Sequence, residues 1–117
     1  MPYLTGSPWW MRKIYDDLVW QMPEEENKLF LSFDDGPHPE ITPYVLDLLK
    51  TYQAASSFFC IGKNVDAYPK IYQRILDEGH VTGNHTYDHL NGWKTSDELY
   101  IENIKKAGSV IHSNLFR

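Results

Sequence analysis

Cysteine is nearly missing from this chain: Cys60 stands alone among 117 residues, which excludes an internal disulfide and any metal cage built from several thiolates. An excess of positive charge is missing too. With 11 Lys and Arg against 16 Asp and Glu the formal charge is -5 at pH 7, so no broad basic footprint exists and nucleic acid is not an expected partner. No stretch is apolar for long enough to span a bilayer. The N-terminus, MPYLTGSPWWMRKIYDDLVWQMPEEEN, has neither an uninterrupted apolar core nor a small-residue cleavage site, so the chain as written is expected to be soluble and unprocessed. Repeats and low-complexity tracts are also absent. What is there, 42% hydrophobic and 15% aromatic residues, suits one globular domain or a piece of a larger one.

Strand-like and helix-like segments alternate along the chain. Ser7 to Met22, rich in Trp, Tyr and Leu, is expected to form an amphipathic leading helix ended by Pro23 and the acidic EEEN linker, with Trp9, Trp10 and Trp20 anchoring it. KLFLSF then reads as a buried strand ending at two aspartates. Thr42 and Pro43 suit the cap and first turn of a helix whose apolar face is Val45, Leu48, Leu49 and Tyr52. AASSFFCIG is a second strand, and Val65, Tyr68, Ile71, Ile75 and Leu76 mark one further helix, stopped by Gly79. A brief third strand near HVTG leads into NHTYDH. Thr95 and Glu98 form a capping-box pattern ahead of a last helix with the core stripe Tyr100, Ile104, Ala107 and Ile111. This order implies an α/β fold of parallel strands with crossover helices, in which chemistry collects at the C-terminal strand ends.

Two motifs fall at such ends. SFDDGPHPE, residues 32 to 40, sets two carboxylates side by side and then turns the chain at Gly36 and Pro37. Adjacent like charges repel, so folding alone gives little reason for them. In HTYDH the spacing of His85 and His89 is i, i+4, which on a helical turn directs both imidazoles the same way. Two imidazoles and one carboxylate, Asp35, make the donor set of a catalytic rather than a structural zinc site. A cation there neutralises Asp35 and leaves Asp34 free to take a proton from water. The plainer readings are an ordinary Asp-Gly-Pro turn and an accidental histidine pair on a solvated loop. The joint occurrence of the two motifs favours metal.

These residues resemble the NodB-like polysaccharide deacetylases, carbohydrate esterase family four. LSFDDGPHPE is similar to that family's first signature, and GNHTYDH to its second, preceded here by Gly79-His80-Val81-Thr82-Gly83-Asn84; AASSFFCIGKNV resembles its Ala-Thr-Phe-Phe strand. The likeness runs from about Leu29 to Arg117, so that 1–27 reads as a helical lead-in and 28–117 as the N-terminal part of the deacetylase domain. It implies a partial distorted (β/α) barrel. It also implies metal-dependent removal of acetyl groups from an N- or O-acetylated polysaccharide, chitin-, peptidoglycan- or xylan-like. By the same resemblance Asp34 is the catalytic base, and Asp35, His85 and His89 hold a divalent metal, zinc in the first place, with cobalt, nickel or iron as alternatives. Thr86 supports the second loop by hydrogen bonding.

The resemblance also implies later motifs, an Arg-x-Pro-Tyr segment and a Leu-x-His segment carrying a general acid, that do not occur within these residues. Arg117 stands where the first of them would begin and is expected to contact substrate. With three strands against roughly eight in a complete barrel, two expectations stand: a piece of a longer polypeptide, or two copies that associate to cover the incomplete barrel. The alternative function is a non-catalytic carbohydrate-binding or metal-stabilised module on the same scaffold. Location is cytoplasmic by default, although the family is often extracytoplasmic. Trp93 is a candidate for stacking on a sugar ring. His38 and His112 read as surface residues, His80 as a core or supporting residue, and Cys60 as a small buried hydrophobe.

Overall fold

The structure, a computed structural model, describes residues 7–18, 20 and 28–117. Three short strands, β1 (Ser32–Gly36), β2 (Ser57–Cys60) and β3 (Val81–Asn84), form one parallel sheet in the order β1-β2-β3. Parallel neighbours need crossovers, and helices supply them: α2 (Ile41–Thr51) joins β1 to β2, while α3 (Gly62–Ala67) and α4 (Pro69–Asp77) join β2 to β3. A last helix, α5 (Asp97–Gly108), follows β3, and a short α1 (Trp9–Ile14) precedes the sheet.

Alternation along the strands separates two faces. Phe58 and Cys60 of the central strand point into a core shared with Leu46 and Leu49 of α2, Val65 of α3, Tyr72 and Ile75 of α4, Ala107 of α5, and Ile111. Phe33 joins this face, its ring stacked on Phe58 at 5.2 Å. On the opposite face lies the row Asp34, Phe59 and Gly83. Gly83 is required there, because a Cβ at that position would lie 2.4 Å from Phe59 Cδ1. Past β3 the chain returns to the sheet: Asn84 N donates to Leu115 O at 2.8 Å and Arg117 N to Asn84 O at 3.1 Å. That return brings Arg117 to the face carrying Asp34.

Several expectations need correction. The leading helix covers Trp9–Ile14 rather than Ser7 to Met22, and none of its residues is buried. Trp9 and Trp10 are exposed and do not anchor it; Val19, Gln21, Met22 and the Pro23 stop lie outside the described residues. KLFLSF is not a buried strand either. Pairing begins at Ser32, and Leu29, Phe30 and Leu31, ahead of the strand, are exposed; among the described residues β1 is paired on one side only. The single helix expected over Val65 to Leu76 is two, divided at Tyr68 (φ -131°, ψ 56°), since Pro69 disfavours helical geometry in the residue before it. Thr42 does not cap α2 in the usual sense. His38 Nδ1 accepts from Glu40 N and Ile41 N, each at 3.2 Å, and Thr42 Oγ1 accepts from His38 N at 2.8 Å. At α5 the cap is Ser96, accepting from Leu99 N, one residue beyond the Thr95 expected. Ile111 is fully buried but lies beyond the helix end.

Candidate metal centre

β1 carries both carboxylates within the strand. Its register with β2 skips Asp35: Asp34 pairs with Phe59 and Gly36 with Cys60, leaving Asp35 as a bulge with φ of 67°. A bulge re-aims a side chain, which answers why two acids sit together. Asp34 stays in the pleat, facing Phe59, while Asp35 swings out. Asn64 Nδ2 of α3 donates to Asp35 O at 2.8 Å and ties the bulge to the next crossover.

The second motif enters from the end of β3. His85 N donates to Cys60 O at 2.9 Å, extending the ladder by one rung. Residues 85–89 are then a loop and not the helical turn expected from the i, i+4 spacing. Thr86 and His89 take left-handed φ of 62° and 55°, and it is this pair of reversals that turns His89 back towards His85. The two rings lie 5.1 Å apart between centroids. Positive φ in bulky residues costs roughly 1–3 kcal/mol each and collects at functional sites. Here Asp35 and His89 both carry it.

Asp35 Oδ1 stands 3.3 Å from His85 Nε2 and 3.2 Å from His89 Nε2. One donor atom from each of the three lies within 4.8 Å of the others. Two ligands of a tetrahedral zinc at about 2.0–2.1 Å from the ion are about 3.3 Å apart, so the two edges at Asp35 have the length such an ion requires. Tautomer fits as well. His85 Nδ1 faces Arg117 O at 2.5 Å; a carbonyl only accepts, so Nδ1 carries the hydrogen and Nε2 keeps its lone pair for a ligand bond. The three residues could hold a divalent metal.

Asp34 has different company. Arg117 Nη1 lies 3.5 Å from Asp34 Oδ1 and donates to Ser32 Oγ at 2.8 Å, while the guanidinium rests over the Phe59 ring at 5.4 Å. Asp34 and Asp35 also line a cleft of about 230 Å³ with Phe33, His38, Ile41 and Val45. Trp93 sits on a short 3-10 turn, Gly92–Lys94, and is fully exposed. His112 is exposed, and His80 is buried, accepting from Ser56 N at 3.3 Å and packed edge-on against Phe58. Cys60 is fully buried and burial pushes its thiol up to about 12, which leaves it inert as a nucleophile.

The loop has supports that motif spacing does not reveal. Asn84 Oδ1 accepts from Thr86 N at 2.9 Å and its Nδ2 donates to Ile104 O. Gly62 N and Lys63 N, opening α3, donate to Thr86 O and Tyr87 O. A Cβ on Gly62 would lie 2.5 Å from the Tyr87 ring, so the loop packs directly on that helix start. Tyr87 OH donates to Asp66 Oδ2 at 2.6 Å, which pushes its phenol up, and Lys106 Nζ lies 3.7 Å above its ring. Thr86 supports the loop by hydrogen bonding, as expected, and does so through its backbone; its buried hydroxyl has no partner among the described residues. One signal was available for Asn103, a polar residue set into the apolar stripe of α5.

The model of the polysaccharide deacetylase family matches residues 21–116. The chain belongs to the polysaccharide deacetylase family. It is similar to a peptidoglycan-N-acetylglucosamine deacetylase of Bacillus cereus, 46% identical over 81 residues that take in 69% of this chain and 38% of that protein. A chitooligosaccharide deacetylase of Azorhizobium caulinodans is 39% identical over 71 residues, 61% of this chain and 34% of that one. Among solved structures, the peptidoglycan deacetylase PdaC from Bacillus subtilis superposes with a TM-score of 0.68 at 36% identity, covering 71% of this chain and 41% of that chain. The parallel strands and crossover helices are thus part of the polysaccharide deacetylase barrel. The chain spans between about a sixth and two fifths of the length of the curated relatives it matches. Among the described residues no helix is long and apolar enough to cross a membrane.

Proposed function

We propose that this chain carries the metal-binding and base-bearing part of a deacetylase that removes acetyl groups from an acetylated polysaccharide. Asp35, His85 and His89 are its metal ligands, and zinc suits two imidazoles and a carboxylate best, with cobalt, nickel or iron as substitutes. The observation that carries this reading is the approach of Asp35 Oδ1 to within 3.3 Å of both histidine Nε2 atoms. The bound ion would polarise the acetyl carbonyl and lower the pKa of a water towards about 7. Asp34, next in the chain and lining the same cleft, accepts a proton from the attacking water. The water oxygen bonds to the acetyl carbon, the bond from that carbon to the sugar nitrogen or oxygen breaks, the proton that water gave up to Asp34 passes to the departing nitrogen or oxygen, and acetate and the free sugar amine or hydroxyl are released. Arg117, expected to contact substrate, is better assigned to Asp34: paired with it and with Ser32, it keeps a cation beside the base and fixes its direction. Trp93, fully exposed, remains our candidate for stacking on a sugar ring.

Relatives named for peptidoglycan and chitooligosaccharide support N-acetylated glucosamine polymers ahead of ester-linked acetyl groups. The test is acetate release from an acetylated chito-oligosaccharide with added zinc or cobalt, comparing the native chain with Asp34→Asn. Release that depends on both metal and Asp34 supports the hydrolase. Sugar binding with no release at any metal concentration supports a binding module instead.

A further inference from the structure

Asn103 interrupts the apolar stripe of α5 one turn from Tyr100 and from Ala107, and it is buried. A polar side chain in such a place costs stability unless it is satisfied. This one is satisfied entirely by the loop between the two histidines. Its Oδ1 accepts from Tyr87 N at 2.8 Å and from Asp88 N at 2.9 Å, and its Nδ2 donates to Asp88 Oδ2 at 2.8 Å. We propose that Asn103 is a positioning residue for the metal centre, holding the backbone between His85 and His89 in the one shape that brings both Nε2 atoms to Asp35. The proposal deepens the functional reading above and rests on its assignment of the three ligands.

The polar groups of the loop have separate partners. His85 is held independently, its amide by Cys60 O and its ring by Arg117 O. The loop carbonyls at Thr86 and Tyr87 are taken by the first amides of α3. The amides at Tyr87 and Asp88 point the other way and converge on one oxygen, Asn103 Oδ1. Such convergence goes with the left-handed residues on either side, Thr86 and His89. Left-handed backbone in residues with a Cβ persists only where surrounding contacts over-determine it. Without Asn103 the two amides lose their acceptor, and the loop relaxes by unwinding those residues. His89 is exposed, and its ring meets Asp35 and His85 at the site itself, so it is the ligand that moves. An amide on a short stem accepts both N–H groups at one atom and donates to the carboxylate from another, which an apolar side chain of the same size cannot do, so packing alone does not account for this residue type.

The test uses the full 117-residue chain and cobalt or zinc as the probe. Metal affinity is measured by calorimetric titration, and exchange of the Tyr87 and Asp88 amides is followed in metal-free protein. Asn103→Leu is expected to weaken metal binding by about 10–100-fold, the usual cost of losing an outer partner of a metal ligand, and to expose both amides to exchange. Asn103→Asp keeps the acceptor but sets a carboxylate against Asp88 and weakens binding as well. The double variant Asn103→Asp/Asp88→Asn restores an acceptor for the two amides and a donor–acceptor pair with its direction reversed, and is expected to return affinity to within about threefold of native. That rescue is the readout a merely structural residue would not give. Native affinity in folded Asn103→Leu, or no recovery in the double variant, overturns the proposal; if Asn103→Leu does not fold, the Asp pair decides. If the native chain binds no metal, the ligand assignment fails, while amide exchange still reports whether Asn103 holds the loop.

Discussion

Asp34 and Asp35 are neighbours in the chain with different partners: Asp34 Oδ1 lies 3.5 Å from Arg117 Nη1, whereas Asp35 Oδ1 lies 3.2 Å from His89 Nε2. The bulge at Asp35 separates them. Asp34 thereby has the Arg117 guanidinium as its positive counterpart, and Asp35 stands beside two imidazoles with which it could share a cation, so the repulsion that makes an Asp-Asp pair costly is offset.

Asp35→Gly separates the demands of folding from those of metal binding. Glycine adopts a φ of 67° without strain, and the tie from Asn64 goes to the backbone oxygen, which the substitution keeps. Thermal unfolding in a chelator is expected to show the variant at least as stable as the native chain, by up to about 1 kcal/mol, with its metal affinity lost. A metal-free variant clearly less stable than native would show that the left-handed aspartate carries no strain.

Gly83→Ala overpacks the face on which Asp34 sits. A Cβ at 2.4 Å from Phe59 Cδ1 forces the ring to move, and such insertions cost about 1–3 kcal/mol. Since the Arg117 guanidinium rests on that ring, deacetylation is expected to fall further than metal affinity does. Denaturant unfolding and metal titration of the same variant check both parts.

Cys60 gives the protein a weakness at high pH. Its thiol is pushed from 9.0 to about 12 in the folded chain by burial, so the unfolded chain releases that proton first. The corresponding stability is complete below about pH 9 and is lost as pH rises towards 12, with a slope of up to about 1.4 kcal/mol per pH unit. Lysines and tyrosines titrate in the same range, so the comparison is with Cys60→Ala, whose stability should fall less steeply. Parallel pH profiles for the two proteins would contradict the burial argument.

Much of this was legible in the sequence because it is local. Hydrophobic runs and their spacing located β2, β3, α2 and α5, and the two motifs named the donor set that the structure brings together. The histidine spacing pointed to a shared direction, but through a helical turn that does not form; two left-handed residues achieve it instead. What stayed hidden is long-range. Asn64, Asn84 and Asn103 make hydrogen bonds to distant backbone, and nothing in local periodicity reports those partners. The leading segment misled for a related reason: its Trp and Leu pattern is amphipathic, yet periodicity does not say whether a surface exists to receive it.

The most direct measurement is the metal content of the native chain and of His85→Ala after loading with zinc and exhaustive dialysis, by elemental analysis. About one zinc per native chain and almost none in His85→Ala is the expected result, with Asp34→Asn retaining the full amount. Equal retention by native protein and His85→Ala would contradict the shared ligation of an ion by Asp35, His85 and His89.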